Sequence, residues 1–127
     1  MNNNDDTFSF NGRIRSVRHA IDGIVEIIKG QHNAWVHCAA TVCVVVAAML
    51  VQVTTTEWCI LILAIALVWV AEALNTAFEL LCDVASPEFH PLVKKSKDVA
   101  AGAVLLSAIG AVIIGLIVFL PYVVNYV

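Results

Sequence analysis

Residues Trp58 to Leu81, with the sequence WCILILAIALVWVAEALNTAFELL, form the most informative apolar run of the chain. Its first half is continuously apolar, whereas its second half carries Glu72 and Glu79. A run of this length and hydropathy predicts a helix that crosses the ~30 Å hydrocarbon core of a bilayer. Charged side chains inside such a helix are unfavourable by about 3 kcal/mol each on insertion scales, so their presence needs a reason.

The composition of the whole chain agrees with a membrane location. The protein has 127 residues, of which 61% are hydrophobic and 13% are charged, with a mean hydropathy of +0.89. Soluble domains are about 25% charged. A chain this short cannot bury so much apolar surface inside a water-soluble core, so the composition excludes a soluble globular protein and indicates a single integral membrane domain.

Hydropathy and periodicity divide the chain into six parts. Residues 1–12 are polar and rich in Asn and Asp, which predicts a disordered N-terminus. Apolar residues recur at helical spacing over 13–30, which predicts an amphipathic helix along the bilayer surface. Transmembrane helices are predicted at about 34–53, 57–82 and 99–124, with a polar loop over 83–98. The predicted fold is all-α, with three transmembrane helices and a surface helix.

The basic residues predict the orientation. All seven Lys and Arg lie before the first span or in the loop over 83–98. The positive-inside rule places both segments in the cytoplasm. The N-terminus is therefore predicted inside and the C-terminus outside.

A polar stripe occupies the second half of the middle span. Glu72, Asn75, Thr76 and Glu79 are spaced by +3, +4 and +7, and Asp83 extends the stripe by one turn. This spacing puts them on one helix face. One carboxylate could accept a proton from a nucleophile and another could hold a divalent cation. Polar side chains can also simply bind helices together, and the spacing alone leaves that alternative open.

The lysines of the polar loop are candidate phosphate ligands. Lys94, Lys95 and Lys97 could act as point charges on phosphate oxygens. Cytoplasmic loops also carry lysine simply because lysine sets membrane orientation. No glycine-rich phosphate-binding motif of a soluble kinase occurs in the sequence.

Three blocks of the sequence resemble the prokaryotic diacylglycerol kinase family, which includes the undecaprenol kinases. They are EALNTAFE at 72–79 followed by Asp83, SPEFHP at 86–91, and KDVAAGAV at 97–104. The similarity runs from about Arg13 to Pro121. The residues of the first two blocks resemble the undecaprenol kinase branch more than the diacylglycerol kinase branch.

The resemblance implies a homotrimeric lipid kinase that transfers the γ-phosphate of ATP, with Mg²⁺, to the hydroxyl of diacylglycerol or undecaprenol. Its partners would be the lipid, ATP and its own copies, without nucleic acid, and its location would be the cytoplasmic (inner) membrane of a bacterium. By position, Glu72 would be the general base with Asn75 beside it, and Glu79 and Gln31 would bind the metal. The nucleotide would be contacted by His19, Glu88, Phe89, His90, Lys97 and Asp98. The lipid would lie near Asn33, Ala34, Trp35, Val36 and His37.

Departures from the family pattern leave a second hypothesis open. Gln31 stands where the family usually has a metal-binding Glu, Trp35 where an Arg is common, and His19 where an aromatic residue is usual. An amide oxygen can coordinate a cation but brings no charge, so weaker metal binding is predicted. The alternative is an inactive relative that acts as a membrane scaffold or lipid-binding protein. A channel is disfavoured because Cys59 to Val70 is entirely apolar.

Overall fold

The computed structural model describes residues 10–30 and 32–125, which form four helices. These are α1 (Phe10–Gly30), α2 (His32–Val51), α3 (Thr55–Ala85) and α4 (Pro91–Asn125). Helices α2, α3 and α4 are each long and apolar enough to cross a membrane. The all-helical class and the three candidate spans predicted from the sequence are therefore confirmed.

Helix α1 begins at Phe10, three residues before the predicted start, and contacts α2 and α3. Its apolar side chains stay outside the core, with Ile14 54%, Val17 60% and Ile24 56% exposed. Apolar side chains this exposed are suited to a lipid surface, but the surface location stays a prediction. The rest of the segment predicted to be disordered, residues 1–9, lies outside the described residues.

The turn between α2 and α3 lies earlier than the sequence indicated. The spans predicted at about 34–53 and 57–82 leave the turn between them at about 54–56, whereas the chain reverses at 52–54, where Gln52 has a φ of 55°. Thr54 is the N-cap of α3 and forms a capping box with Glu57, whose carboxylate accepts the Thr54 N–H at 2.7 Å. The Tyr122 hydroxyl of α4 donates to the same carboxylate at 2.6 Å. Thr54 and Glu57 therefore begin a helix and anchor α4.

The predicted polar loop over 83–98 is mostly helical. Helix α3 continues to Ala85 and α4 begins at Pro91, so that 86–90 are the non-helical residues of the connection. The two helices have 31 and 35 residues. At ~1.5 Å per residue they reach ~46 and ~52 Å, well beyond a ~30 Å hydrocarbon core. Loss of hydropathy marks where a helix leaves the membrane, not where the helix ends.

The core of the bundle lies at the end near the α2–α3 turn, and α3 packs most extensively on α4. Ala48, Val53, Leu61 and Val118 are buried together there. Towards the other end, α3 buries the polar residues Glu72, Asn75 and Thr76, with Cys82 buried farther along the helix. The structure thus separates an apolar packing end from a polar end, and the polar end carries the candidate site.

Ala48→Leu is expected to destabilise the bundle by about 1–3 kcal/mol, because Ala48 is 0% exposed and extra methyl groups must displace its neighbours. The same change at Ala39, which is exposed on the same helix, serves as the matched control. Unfolding in mixed micelles with increasing denaturing detergent measures both variants. Equal midpoints for the two would contradict the packing of α2 against α3 and α4.

Candidate active site

A cavity of about 260 Å³ lies between α2, α3 and α4 at the polar end of the bundle. Its walls combine the predicted catalytic residues with part of the predicted lipid-binding set and one predicted metal ligand. The lining residues are Asn33, Val36, His37, Glu72, Asn75, Glu79, Ala101, Val104, Leu105 and Ala108. One side of the cavity is therefore polar and carboxylate-bearing, while the side formed by α4 is apolar.

Glu72 is the most buried functional group of this cavity, with 1% of the residue exposed. Neither of its carboxylate oxygens accepts a hydrogen bond from the described residues. The His37 Nε2 atom lies 3.7 Å from Glu72 Oε2. A buried carboxylate without hydrogen bonds is energetically unfavourable and has its full accepting capacity free. A hydroxyl group that entered the cavity would find a ready acceptor in Glu72.

Asn75 and Glu79 form a second polar pair along the same wall. The Asn75 Nδ2 atom donates to Glu79 Oε1 at 3.1 Å, one helical turn away. The amide oxygen of Asn75 is buried and accepts no hydrogen bond from the described residues. Thr76 is also buried but does not line the cavity. The predicted stripe is thus divided, with Glu72, Asn75 and Glu79 on the cavity and Thr76 packed beside it.

The oxygen atoms of this wall fit a hard divalent cation. The Glu79 carboxylate and the buried Asn75 amide oxygen are ligand types that Mg²⁺ accepts. Among residues 10–30 and 32–125, no cluster of three His, Cys, Asp or Glu side chains forms a ready-made metal site. Gln31, the other predicted metal ligand, lies outside the described residues.

A second cleft, of about 330 Å³, is formed by the α3–α4 connection. It gathers five of the six residues predicted to contact nucleotide. The lining residues are Asp83, Ser86, Pro87, Glu88, Phe89, His90, Val93, Lys94, Lys97 and Asp98. The remaining predicted residue, His19, is exposed on α1 and lines neither this cleft nor the cavity around Glu72.

Ion pairs and a hydrogen bond order the second cleft. Lys97 Nζ bonds Asp83 Oδ1 at 2.5 Å, which joins α4 to the end of α3, and Lys94 pairs with Asp98 at 2.7 Å. The His90 Nδ1 atom accepts the N–H of Leu92 at 3.2 Å. These contacts hold basic groups at the mouth of the cleft, where phosphate oxygens could compete for them.

Two of the predicted lipid-binding residues lie away from the cavity. Ala34 is completely buried in helix packing, and Trp35 points outward with 63% of its surface exposed. Asn33, Val36 and His37 do line the cavity. Trp35 lies on the side of α2 opposite His37, and Ala34 is enclosed by packing, so only part of the predicted lipid-binding run meets the cavity.

Sequence reasoning missed the contacts that join different helices. The proximity of His37 to Glu72 and the pairing of Lys97 with Asp83 both cross between helices. The Lys94–Asp98 pair could have been found from its i,i+4 spacing. The His37–Glu72 and Lys97–Asp83 contacts could not be predicted from local sequence spacing, because they depend on how the helices pack.

Comparisons with known proteins agree with these features. The family model for prokaryotic diacylglycerol kinase matches residues 18–119. An undecaprenol kinase of Bacillus subtilis is 39% identical over 121 residues, which cover 95% of this chain and 98% of that protein. A diacylglycerol kinase of Synechocystis is 40% identical over 107 residues, covering 84% of this chain and 61% of that protein. The diacylglycerol kinase of Escherichia coli K12 is 35% identical over 92 residues, covering 67% of this chain and 75% of that protein. The chain therefore belongs to the prokaryotic diacylglycerol kinase family and is a lipid kinase.

Proposed function

We propose that this lipid kinase transfers the γ-phosphate of ATP to the hydroxyl of a membrane lipid at the cytoplasmic face of the membrane. The observation that carries the proposal is Glu72, a buried carboxylate whose oxygens accept no hydrogen bond from the described residues. It faces a cavity that also contains Asn75 and Glu79. A base in this position can take the proton of a hydroxyl that stays with its lipid in the membrane.

We assign different roles to the cavity around Glu72 and to the second cleft. Glu72 accepts the hydroxyl proton as the lipid oxygen attacks the γ-phosphorus, and ADP leaves. Lys97, at the second cleft, neutralises phosphate charge, because phosphoryl transfer depends chiefly on positioning and electrostatic stabilisation. Glu79 and Gln31 would hold Mg²⁺, which when bound neutralises charge on the phosphates. Asn75 donates to Glu79 and so orients that carboxylate.

We propose undecaprenol as the first candidate substrate and diacylglycerol as the second. The Bacillus subtilis relative that aligns over nearly its full length is an undecaprenol kinase. An apolar groove of about 260 Å³ shares Val36, His37 and Ala108 with the cavity around Glu72. A groove continuous with the base offers a path for a single hydrocarbon chain whose hydroxyl reaches Glu72.

The proposed assembly is a homotrimer, with the N-terminus inside and the C-terminus outside. The homotrimer rests on the family resemblance, and the orientation rests on the distribution of lysine and arginine. Large apolar side chains of the spans are exposed in the single chain, among them Leu63 at 69% and Leu106 at 72%. Such surfaces suit contact with lipid or with neighbouring subunits.

The experiment that tests the function is a transfer assay. The purified protein, in micelles doped with undecaprenol or diacylglycerol, receives Mg-ATP labelled at the γ-phosphate. Label in the undecaprenol product, exceeding that in the diacylglycerol product, is the expected result. Preferential labelling of diacylglycerol would reverse the order of substrates. No label in either lipid, with the trimer verified by its mass in detergent, would contradict the proposal and favour the scaffold hypothesis.

Lys97→Met is expected to lower kcat/KM for ATP about tenfold, because a charge-assisted hydrogen bond to phosphate contributes about 1.5 kcal/mol or more. Steady-state kinetics at saturating lipid measure the effect. Lys29→Met, which removes a lysine from the end of α1, is the matched control and should leave kcat/KM unchanged. Equal kcat/KM values for the two variants would exclude Lys97 from nucleotide binding.

A further inference from the structure

His37 occupies a special position relative to Glu72. Its side chain is 14% exposed on α2, and its Nε2 atom lies 3.7 Å from Glu72 Oε2 on α3. Asn33 and Asn75 line the same cavity, yet neither amide donates a hydrogen bond to Glu72. The wall contributed by α4 consists of Ala101, Val104, Leu105 and Ala108, which have no side-chain donor. Among the described residues, His37 is therefore the donor best placed for the buried carboxylate.

The imidazole ring is held by a chain of contacts between two helices. The ring of Trp69 meets it edge-on, with centroids 6.2 Å apart and planes at 68°. The indole Nε1 of Trp69 donates to Thr41 Oγ1 at 3.1 Å. Thr41 lies one turn after His37 on α2, and Trp69 lies one turn before Glu72 on α3. This arrangement fixes the ring beside the carboxylate, as positioning of a catalytic group requires.

The 3.7 Å between His37 Nε2 and Glu72 Oε2 is longer than a hydrogen bond, for which 2.7–3.2 Å is typical. Hydrogen bonds between catalytic groups are often long without substrate and shorten in the reactive complex. A neutral imidazole with its proton on Nε2 could then donate to Oε2. The other oxygen, Oε1, would remain as the acceptor for the substrate proton.

We propose that His37 is a positioning residue that acts through Glu72. Its Nε2–H fixes the carboxylate so that Oε1 faces the lipid hydroxyl. The O–H bond of the lipid breaks as the Oε1–H bond forms. The lipid oxygen bonds the γ-phosphorus, and the bond between the γ-phosphorus and the oxygen of the leaving ADP breaks. This inference rests on the proposed function. It differs from the lipid contact predicted for His37, because a lipid contact would act on binding and not on Glu72.

Three substitutions at this position test the inference. His37→Leu removes the donor, His37→Asn places its amide too far from Glu72, and His37→Gln can put an amide N–H where Nε2 stands. We expect kcat to fall about tenfold or more in the Leu and Asn variants, with KM for the lipid within about twofold. His37→Gln should recover most of kcat. If the Leu variant does not fold, the comparison of Asn with Gln carries the test.

A double-mutant cycle adds a readout that a purely structural role would not change. His37→Leu introduced into Glu72→Gln, assayed over long incubations, should cause no further loss, because the two residues act as one unit. His32→Leu, at the exposed start of α2, is the matched control and should keep the wild-type kcat. Three results would overturn the inference: additive losses in the double mutant, equal kcat values for His37→Gln and His37→Leu, or a change in KM alone.

Failure of this inference is distinguishable from failure of the proposed function. Active wild-type protein with unaffected His37→Leu would overturn the positioning role alone. Wild-type protein without transfer to either lipid would overturn the function on which it rests, and the positioning role with it.

Discussion

Glu72→Gln is expected to lower kcat for lipid phosphorylation by about 10²–10⁴-fold, the contribution usual for a general base. The amide keeps the size and shape of the side chain but cannot accept the hydroxyl proton. Glu72 is 1% exposed, so a water molecule from bulk solvent cannot easily replace it as the proton acceptor. Single-turnover transfer of labelled phosphate from ATP measures the loss without interference from product release.

Glu57→Gln is the matched control for this prediction. Glu57 lies on the same helix but at the opposite end, where its carboxylate bonds Thr54 and Tyr122. Its substitution should lower the thermal unfolding midpoint, because the capping box and the link to α4 are weakened, while kcat per folded protein is retained. If Glu72→Gln kept kcat within a few-fold of wild type, Glu72 could not be the base.

The stability of Glu72→Gln separates chemistry from folding. The wild-type carboxylate is buried without a hydrogen bond from the described residues, which is unfavourable for the resting protein. The amide of glutamine fills the same space and carries no charge. We expect this variant to unfold at the same or a higher denaturant concentration than wild type while losing activity. An inactive but unstable variant would instead indicate a structural role.

Glu79→Gln is expected to raise the Mg²⁺ concentration needed for half-maximal activity by about 10–100-fold, as loss of groups in a metal site commonly does. The change removes one negative charge, but the new amide oxygen can still accept the hydrogen bond from Asn75. The geometry of the wall is therefore kept while its affinity for a cation falls. Activity measured against Mg²⁺ at fixed ATP, with free ion calculated, provides the test.

Gln31→Glu is the complementary variant. It adds a carboxylate where the family usually has one, so it should lower the Mg²⁺ requirement and partly restore Glu79→Gln. A matched change at Gln52, in the turn at the far end of the bundle, should have no effect on the Mg²⁺ requirement. If neither Glu79→Gln nor Gln31→Glu altered the Mg²⁺ dependence, the metal assignment would be wrong.

An all-helical membrane protein, with three candidate spans and a polar face on α3, could be predicted from the sequence alone. Those features follow from hydropathy and from a period of 3.6 residues, which are local properties. Of the five residues predicted on that face, Glu72, Asn75 and Glu79 line the cavity, while Thr76 packs beside it and Asp83 lines the second cleft. The three blocks that resemble the family could also be recognised from the sequence, because each is a contiguous run of residues.

The tertiary structure decided the ends of the helices and the contacts between them. Helices α3 and α4 extend beyond the apolar runs, since backbone hydrogen bonds continue where hydropathy stops. Tyr122 reaches Glu57 across 65 residues, Lys97 reaches Asp83 across 14, and His37 approaches Glu72 from another helix. Such pairs depend on the rotation and axial offset of packed helices, which arise from the fit of many side chains and leave no local pattern in the sequence.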